Sequence, residues 1–441
     1  MLWLELAVVL ACIVVGSRLS GIGMGVMGGI GLVVLVFLFG LPPGGPPGVV
    51  LGMIIAVITA LSSMEAAGGL NYLVSVAEKI LRKNPKSITF IAPLVTYVLI
   101  FLSGTQHVIY ALLPVISEIA RKSGIRPERP LSITVIASMH GLIASPISAV
   151  TVAMLAQLSG RSVSLPQIMM VTIPATLIAV LIGALSVAKR GKELKDEPPL
   201  SQADNEVEKA KAPVALEGDA LRNAKGATFL FFGSVVLVVL IGLFPAIRPH
   251  YTMSVDGVIV DKEVDMAQAI MIIMLAIAGL IMLLFKASAA KAVGGPTMKS
   301  GIVAVISILG ISWLGSSFFE GNKSEIVDGF SAVITGQEWL FGVGLFALSM
   351  LLFSQAATIV TLMPVALALD MPTPLLIALY PAVNGIFFLP TYGTMLAAVS
   401  FDRTGTTRIG KFVVNHSFML PGLVTTISAV LLAFAFSYLL L

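Results

Sequence analysis

The residues with chemistry to offer in this chain are hydroxyls and amides rather than charges. They sit in four short clusters that interrupt apolar stretches. The first is Ser103-Gly104-Thr105-Gln106 with His107 behind it, and the second is Ser145-Pro146-Ile147-Ser148. The third is Ser354-Gln355 with Thr358, and the fourth is Pro390-Thr391 with Thr394. Ser145-Pro146 reads as a helix N-cap followed by proline at the first helical position, and Pro390-Thr391 as the corresponding start in the second half. A helix start carries free N–H groups and a partial positive charge, and so attracts anions. Two such starts facing each other suit a small molecule with a negative group at each end.

The candidate substrate-binding residues are therefore Ser103, Gly104, Thr105 and His107, then Ser145 and Ser148. Ser354, Gln355, Thr358, Thr391 and Thr394 complete them. Any one hydroxyl taken alone has a plainer use, which is to satisfy nearby backbone. Catalytic chemistry finds little support. One cysteine, Cys12, and four histidines supply no nucleophile–base pair and no metal-ligand cluster that can be placed. The expectation is a non-enzyme with no metal and no cofactor. Gly23 to Gly28 fits a GxGxxG pattern, but no strand precedes it. Gly21, Gly25 and Gly29 read better as a close helix-packing face.

The elements that position these clusters follow from composition. Apolar residues make up 57% of the 441 and charged residues only 11%, against roughly 45–50% and 25% in soluble domains. A soluble enzyme, a disordered chain and a nucleic-acid-binding module are excluded, and a net charge of +4 argues for no polyanionic partner. Of the 50 charged residues, 16 lie between Lys189 and Lys225. What remains is a series of fourteen apolar runs, the pattern of a multi-span helical protein in a lipid bilayer. The N-terminal run carries Glu5 and no basic region, and reads as a retained helix.

Lys and Arg gather on the cytoplasmic side of membrane proteins. Placing every basic seam inside makes residues 87–120 start and finish on one side, as a re-entrant hairpin turning near Ser103 to Gln106. Residues 131–160 are too long for one straight helix and break at Pro146. The second half repeats this from the other face, with a hairpin over 338–370 turning at Ser354-Gln355 and a break at Leu389-Pro390-Thr391 in the run 375–401. An amphipathic stretch precedes each hairpin, at 71–86 and 319–337. The predicted architecture is an all-α polytopic membrane protein of two inverted repeats, each with a re-entrant helical hairpin and a broken helix, about ten spans plus two hairpins. The units are 1–188, a cytoplasmic linker 189–225, and 226–441, with both termini periplasmic. Paired broken segments in corresponding positions of inverted halves point to the binding site of a secondary transporter.

The sequence resembles the Dcu family of anaerobic C4-dicarboxylate transporters nearly end to end. The resemblance is carried by GGIGLVVLVF at 28–37, NPKSITFIAP at 84–93, GTQHVIYALLPVI at 104–116, RPERPLS at 126–132 and ASPIS at 144–148. SQAAT at 354–358, LPTYGT at 389–394 and FDRTGTTRIGKFVVNHSF at 401–418 are the most specific together. The chain departs from the family's usual pattern at Gln106, where Gly is usual, and at Gly393, where a second Pro is usual. It also has Met395 where one branch carries Asp. The resemblance implies exchange or uptake of fumarate, malate, succinate and aspartate across a bacterial inner membrane. It also implies a homodimer with a moving transport domain, and allows an accessory role beside a membrane sensor kinase. A carrier of another small organic anion, such as citrate or gluconate, is the competing reading.

Single ionisable residues carry open alternatives. His107 and His140 are either titrating or hydrogen-bonded neutral groups. Glu65 either pairs with a Lys or Arg of the basic seam or serves as a cation or proton site. Asp402 and Arg403 either steady Gly405 to Thr407 or contact substrate.

Overall fold

In hydrocarbon an apolar run satisfies its backbone polar groups by coiling into a helix, and most apolar runs of this sequence do so. The computed structural model describes the chain apart from residues 20–21, 162, 193, 195–215, 256–257, 326–336, 391 and 411–414, and apart from the side chains of 17, 18, 107, 245, 255 and 258. The first half gives α1 (Leu2–Leu19), α2 (Gly23–Leu32, continued by a π-helical turn Val33–Leu38), α3 (Gly48–Ala66), α4 (Gly69–Lys83), α5 (Ile88–Ser103), α6 (Ile109–Lys122), α7 (Glu128–Ala144), α8 (Ala149–Gln157) and α9 (Leu165–Val187). The second half gives α10 (Gly218–Leu243), β1 (His250–Val255), β2 (Val258–Glu263), α11 (Met266–Leu284), α12 (Ala289–Gly294) and α13 (Pro296–Gly321). It ends with α14 (Leu340–Leu352), α15 (Gln355–Ala368), α16 (Thr373–Leu379), a 3-10 segment Tyr380–Phe387, α17 (Gly393–Phe401) and α18 (Met419–Leu440).

Among the described residues eight helical stretches are long and apolar enough to cross a membrane, Glu128–Gln157 being counted as one across its break. Outward-facing Leu283, Leu284, Leu431 and Leu439 remain exposed on α11 and α18, as lipid-facing residues do. Three of the four arms of the expected hairpins are short. α6, α14 and α15 have 14, 13 and 14 residues, about 20–21 Å at 1.5 Å per residue, less than the roughly 30 Å of a hydrocarbon core. The remaining arm, α5 with the turn before it, is the stretch Pro85–Ser103, one of the eight. The amphipathic stretch before the first hairpin is α4, which buries Val74, Ala77 and Leu81 and exposes Lys79 and Lys83. Most of its counterpart, at 326–336, lies outside the described residues.

Both expected helix breaks are present, but each is built differently from the sequence reading. Ser145 closes α7 instead of opening α8, because a residue before proline is driven into extended backbone. The N-cap of α8 is Ser148, whose Oγ accepts the Thr151 N–H at 3.2 Å. In the second half regular helix stops at Leu379, a 3-10 segment follows in which Asn384 is non-helical, and α17 restarts after Tyr392. The break is therefore longer than Leu389 to Thr391, and Thr391 itself lies outside the described residues. The loop after α10 is an antiparallel hairpin, pairing His250 with Glu263 through to Val255 with Val258. Asp256-Gly257 between Val255 and the β-branched run Val258-Ile259-Val260 is the sequence signal for it.

Two sets of helices can be distinguished, each mixing the two halves, and they meet where α13 packs on α15 and α3 on α8. α2 lies on α1 and α13, α3 on α11 and α13, and α10 on α11. In the other set α7 lies on α5 and α9, α9 on α18, α14 on the 3-10 segment, α15 on α8, and α17 on α6 and α7. A buried polar knot ties the halves near the linker. Arg126 Nε meets Glu128 Oε2 at 2.8 Å, Ser417 Oγ donates to Glu128 Oε1 at 2.8 Å, and Arg190 Nη1 donates to Ser417 O at 2.9 Å.

The α2–α13 contact is a backbone-to-backbone approach. A Cβ on Gly25 would strike the Ile306 carbonyl, and one on Gly310 would strike the Gly25 backbone. The packing face is thus Gly25 and Gly28 rather than Gly25 and Gly29, since space beside Gly29 is open and Gly21 lies outside the described residues. Gly310→Ala is expected to destabilise the fold by about 1–3 kcal/mol through overpacking, whereas Gly29→Ala stays within about 0.5 kcal/mol. Thermal unfolding of the two purified variants in detergent, compared with the parent, checks the difference.

Candidate functional site

Between the two helix sets lies a cavity of about 640 Å³, within the roughly 300–1,000 Å³ usual for small-molecule sites. All four clusters reach it. Gly104, Thr105 and Gln106 come from the turn between α5 and α6, and Ile147 from the first break. Ser354 and Gln355 come from the turn between α14 and α15, and Tyr392, Gly393 and Thr394 from the second break. The opposite wall is α3, with Ile54, Val57, Ile58 and Leu61, and α13, with Thr297, Ser300 and Ser307. No Asp, Glu, Lys or Arg lines it among the described residues.

Local sequence explains each turn. Gly104 ends α5 at φ 64°, in the left-handed region that glycine enters freely. A Cβ there would meet Ile147, so the first turn is seated on the first break. Phe353 also takes a left-handed conformation, and Ser354 then caps α15, its Oγ accepting the Ala357 N–H at 3.1 Å. Glutamines stitch the turns to the rest. Gln106 Oε1 accepts from the Tyr392 hydroxyl at 2.8 Å, joining the first turn to the second break, and Gln106 Nε2 lies 3.5 Å from Ser138 Oγ. Gln355 Nε2 donates to Met139 O at 3.1 Å and also to Asn384 Oδ1. Consecutive residues of α7, Ser138 and Met139, therefore touch both turns.

Several predicted residues make hydrogen bonds within the protein. Ser103 Oγ donates to Thr105 O at 3.2 Å, and Thr358 Oγ1 to Ser354 O at 2.7 Å. Ser148 is occupied as a cap, and Thr151 Oγ1 lies 3.2 Å from the Tyr380 hydroxyl across the halves. These three do not line the cavity, and neither does Ser145, although its buried Oγ has no hydrogen-bond partner. The His107 side chain, like Thr391, lies outside what is described. His140 is buried in α7, with Nδ1 3.1 Å from Ile136 O. The Asp402 carboxylate accepts from Thr404, Thr406 and the Thr407 N–H, which makes it a turn cap for 402–407. Glu65 meets no Lys or Arg among the described residues, and instead accepts the Thr297 N–H at 3.3 Å.

Three lining residues carry a buried oxygen without a partner, Thr297 Oγ1, Gln355 Oε1 and Thr394 Oγ1. The first turns of α8, α15 and α17 all border the cavity, at Ala149-Val150, Gln355 to Ala357, and Gly393-Thr394. So does the first turn of α13, through Thr297, Ser300 and Gly301. Sequence reading missed that start, though Gly295-Pro296 is the proline-at-N1 signature. It also missed Tyr392 and Tyr110. Helix-start N–H groups, hydroxyls and helix dipoles are groups able to hold an anion.

A family profile described as "Anaerobic c4-dicarboxylate membrane transporter" matches residues 1–441. The chain belongs to this family. Among its relatives, the C4-dicarboxylate transporter DcuA of Escherichia coli K12 is 42% identical over 98% of both chains. DcuA of Wolinella succinogenes is 40% identical over all of both, and the anaerobic C4-dicarboxylate transporter DcuB of E. coli O6:H1 is 38% identical over 96% of this chain and 95% of that one. Two solved transporters share the fold at low identity. YdaH of Alcanivorax borkumensis has a TM-score of 0.57 at 14% identity, covering 93% of this chain and 88% of that one. The Neisseria gonorrhoeae efflux pump MtrF has 0.53 at 12%, covering 94% and 84%. The family's usual Gly at 106 would lack the side chain that here reaches Tyr392. Its usual second Pro at 393 would carry a Cβ against the Tyr110 hydroxyl.

In this Dcu-family chain Tyr392→Phe is expected to raise the KM for transported substrate about five-fold, roughly 1 kcal/mol, by leaving Gln106 Oε1 unpaired. Initial-rate uptake into proteoliposomes measures this. An unchanged KM would remove the Gln106–Tyr392 bridge from the bound state.

Proposed function

We propose that this protein is a secondary carrier of C4-dicarboxylates in a bacterial inner membrane, working by exchange or ion-coupled uptake. One observation carries the reading: both turns and the second break present polar groups to one uncharged cavity edged by helix starts, and the first break reaches it through Ile147 and the start of α8. A dianion in such a space is stabilised by convergent N–H groups and hydroxyls and meets no cation that would hold it permanently. Release on either side is then easy, as a carrier requires. Family membership and the names of the relatives supply the substrate class.

The mechanism we infer is alternating access. The α1–α3, α10–α13 set serves as scaffold, and the set bearing the turns and breaks moves against it, with the cavity on the sliding boundary. The two turns are re-entrant tips of inverted repeats. Support comes from the short arms α6, α14 and α15 and from a helix break after each turn, and the hairpin over 87–120 follows if the basic seams flanking it are both cytoplasmic. That rule also sets both termini on the periplasmic side.

Counterflow tests the reading. Purified protein in liposomes loaded with succinate is expected to accumulate labelled fumarate, and competition by unlabelled malate and aspartate should exceed that by citrate or gluconate. The reverse order of competition would give the site to another anion. Thr394→Val, which removes an unpartnered buried hydroxyl from the cavity wall, is expected to lower kcat/KM about ten-fold, equivalent to roughly 1.4 kcal/mol.

A further inference from the structure

We propose that Glu65 is a tethered carboxylate sitting on an anion seat at one mouth of the cavity, and that a dicarboxylate entering from that side must displace it. The inference rests on the dicarboxylate reading above.

Four helix starts border the cavity, and they differ in what occupies them. α8 and α15 are capped by their own serines, Ser148 and Ser354, and α17 has no side-chain cap. The start of α13 is occupied by a carboxylate from another helix, Glu65 Oε2 accepting the Thr297 N–H at 3.3 Å. Glu65 stands one helical turn beyond Leu61, a cavity-lining residue of α3. It therefore marks the end of the cavity where α3 finishes and α13 begins. Lys291 and Lys299 flank the start of α13, and the next seam in the chain after α3, at 79–86, lies at the far end of α4, so this mouth is cytoplasmic by the positive-inside rule.

A second observation identifies the place as a seat rather than a plain cap. Thr297 Oγ1 is buried, has no hydrogen-bond partner, and belongs to a residue that lines the cavity and is 3% exposed. A hydroxyl donor and a helix-start N–H on one residue form a two-pronged carboxylate site. Glu65 uses one prong and leaves the other open. The exposed Lys299, in the same first turn, adds positive potential. One end of a C4-dicarboxylate carries the same chemical group as Glu65, so the side chain competes with substrate for the seat. Glu65 withdrawn and Glu65 seated are the two states of a small gate at the cytoplasmic mouth.

The test uses the full-length protein in inside-out and right-side-out vesicles, with labelled fumarate supplied to one face at a time. Glu65→Gln keeps an acceptor for the Thr297 N–H but removes the charge, and is expected to lower the KM on the cytoplasmic face about five-fold, with less than two-fold change on the other face. Thr297→Val keeps the Glu65 contact and removes the open prong, and is expected to raise the cytoplasmic-face KM about five-fold. Opposite signs confined to one face establish the seat. Equal shifts on both faces, no shift, or the same sign in both variants overturn it, the last marking Glu65 as a structural cap. Should Glu65→Gln fail to insert, an unchanged cytoplasmic-face KM in Thr297→Val suffices to overturn it. Wild-type vesicles that transport no C4-dicarboxylate fail the substrate reading, and the seat with it.

Discussion

A helix that stops inside apolar surroundings strands backbone N–H and C=O groups that no water can reach, and this constraint governs the whole molecule. The chain stops helices at several such places. At four of them a side chain accepts a stranded N–H: Ser148 for α8, Ser354 for α15, Glu65 for α13 and Ser349 for the Gly385 N–H. Where completion is partial, the remaining donors and acceptors face the cavity.

The same economy explains why the two turns are locked by amides. A Gln side chain both donates and accepts, so Gln106 reaches Tyr392 and Ser138 together, and Gln355 reaches Met139 and Asn384. Each link crosses between segments far apart in sequence. A change at one turn is therefore felt at the breaks, which is the coupling a carrier needs if binding is to bias one arrangement of its two helix sets over another. Gly104, seated against Ile147, adds a steric link at the same junction.

Charge is kept to the edges. Arg126, Glu128, Arg190 and Ser417 form a knot beside the linker, and the Asp402 carboxylate is consumed by its own turn. Buried charges survive when paired or fully hydrogen-bonded, and these are. The cavity is left to dipoles and hydroxyls, whose hold on a dianion is weaker and easier to release.

Composition and hydrophobic run length alone determined that this is a helical membrane protein, and prolines and serines within those runs marked where the helices stop. Those signals are local: apolar length, a missing N–H at proline, and a cap residue. The sequence therefore located all four clusters that meet in the cavity. It did not decide which atoms do what. Pro146 announced a break, yet whether Ser145 ends one helix or begins the next depended on the backbone forced on the residue before proline. Gln106, Tyr392 and Thr297 acquire their places only when segments hundreds of residues apart are packed together, as the separation of 286 residues between Gln106 and Tyr392 illustrates. Glu65 was legible as an ionisable group at a helix end. Its partner was settled by the packing of α3 on α13, which brings the Thr297 N–H within reach of the carboxylate.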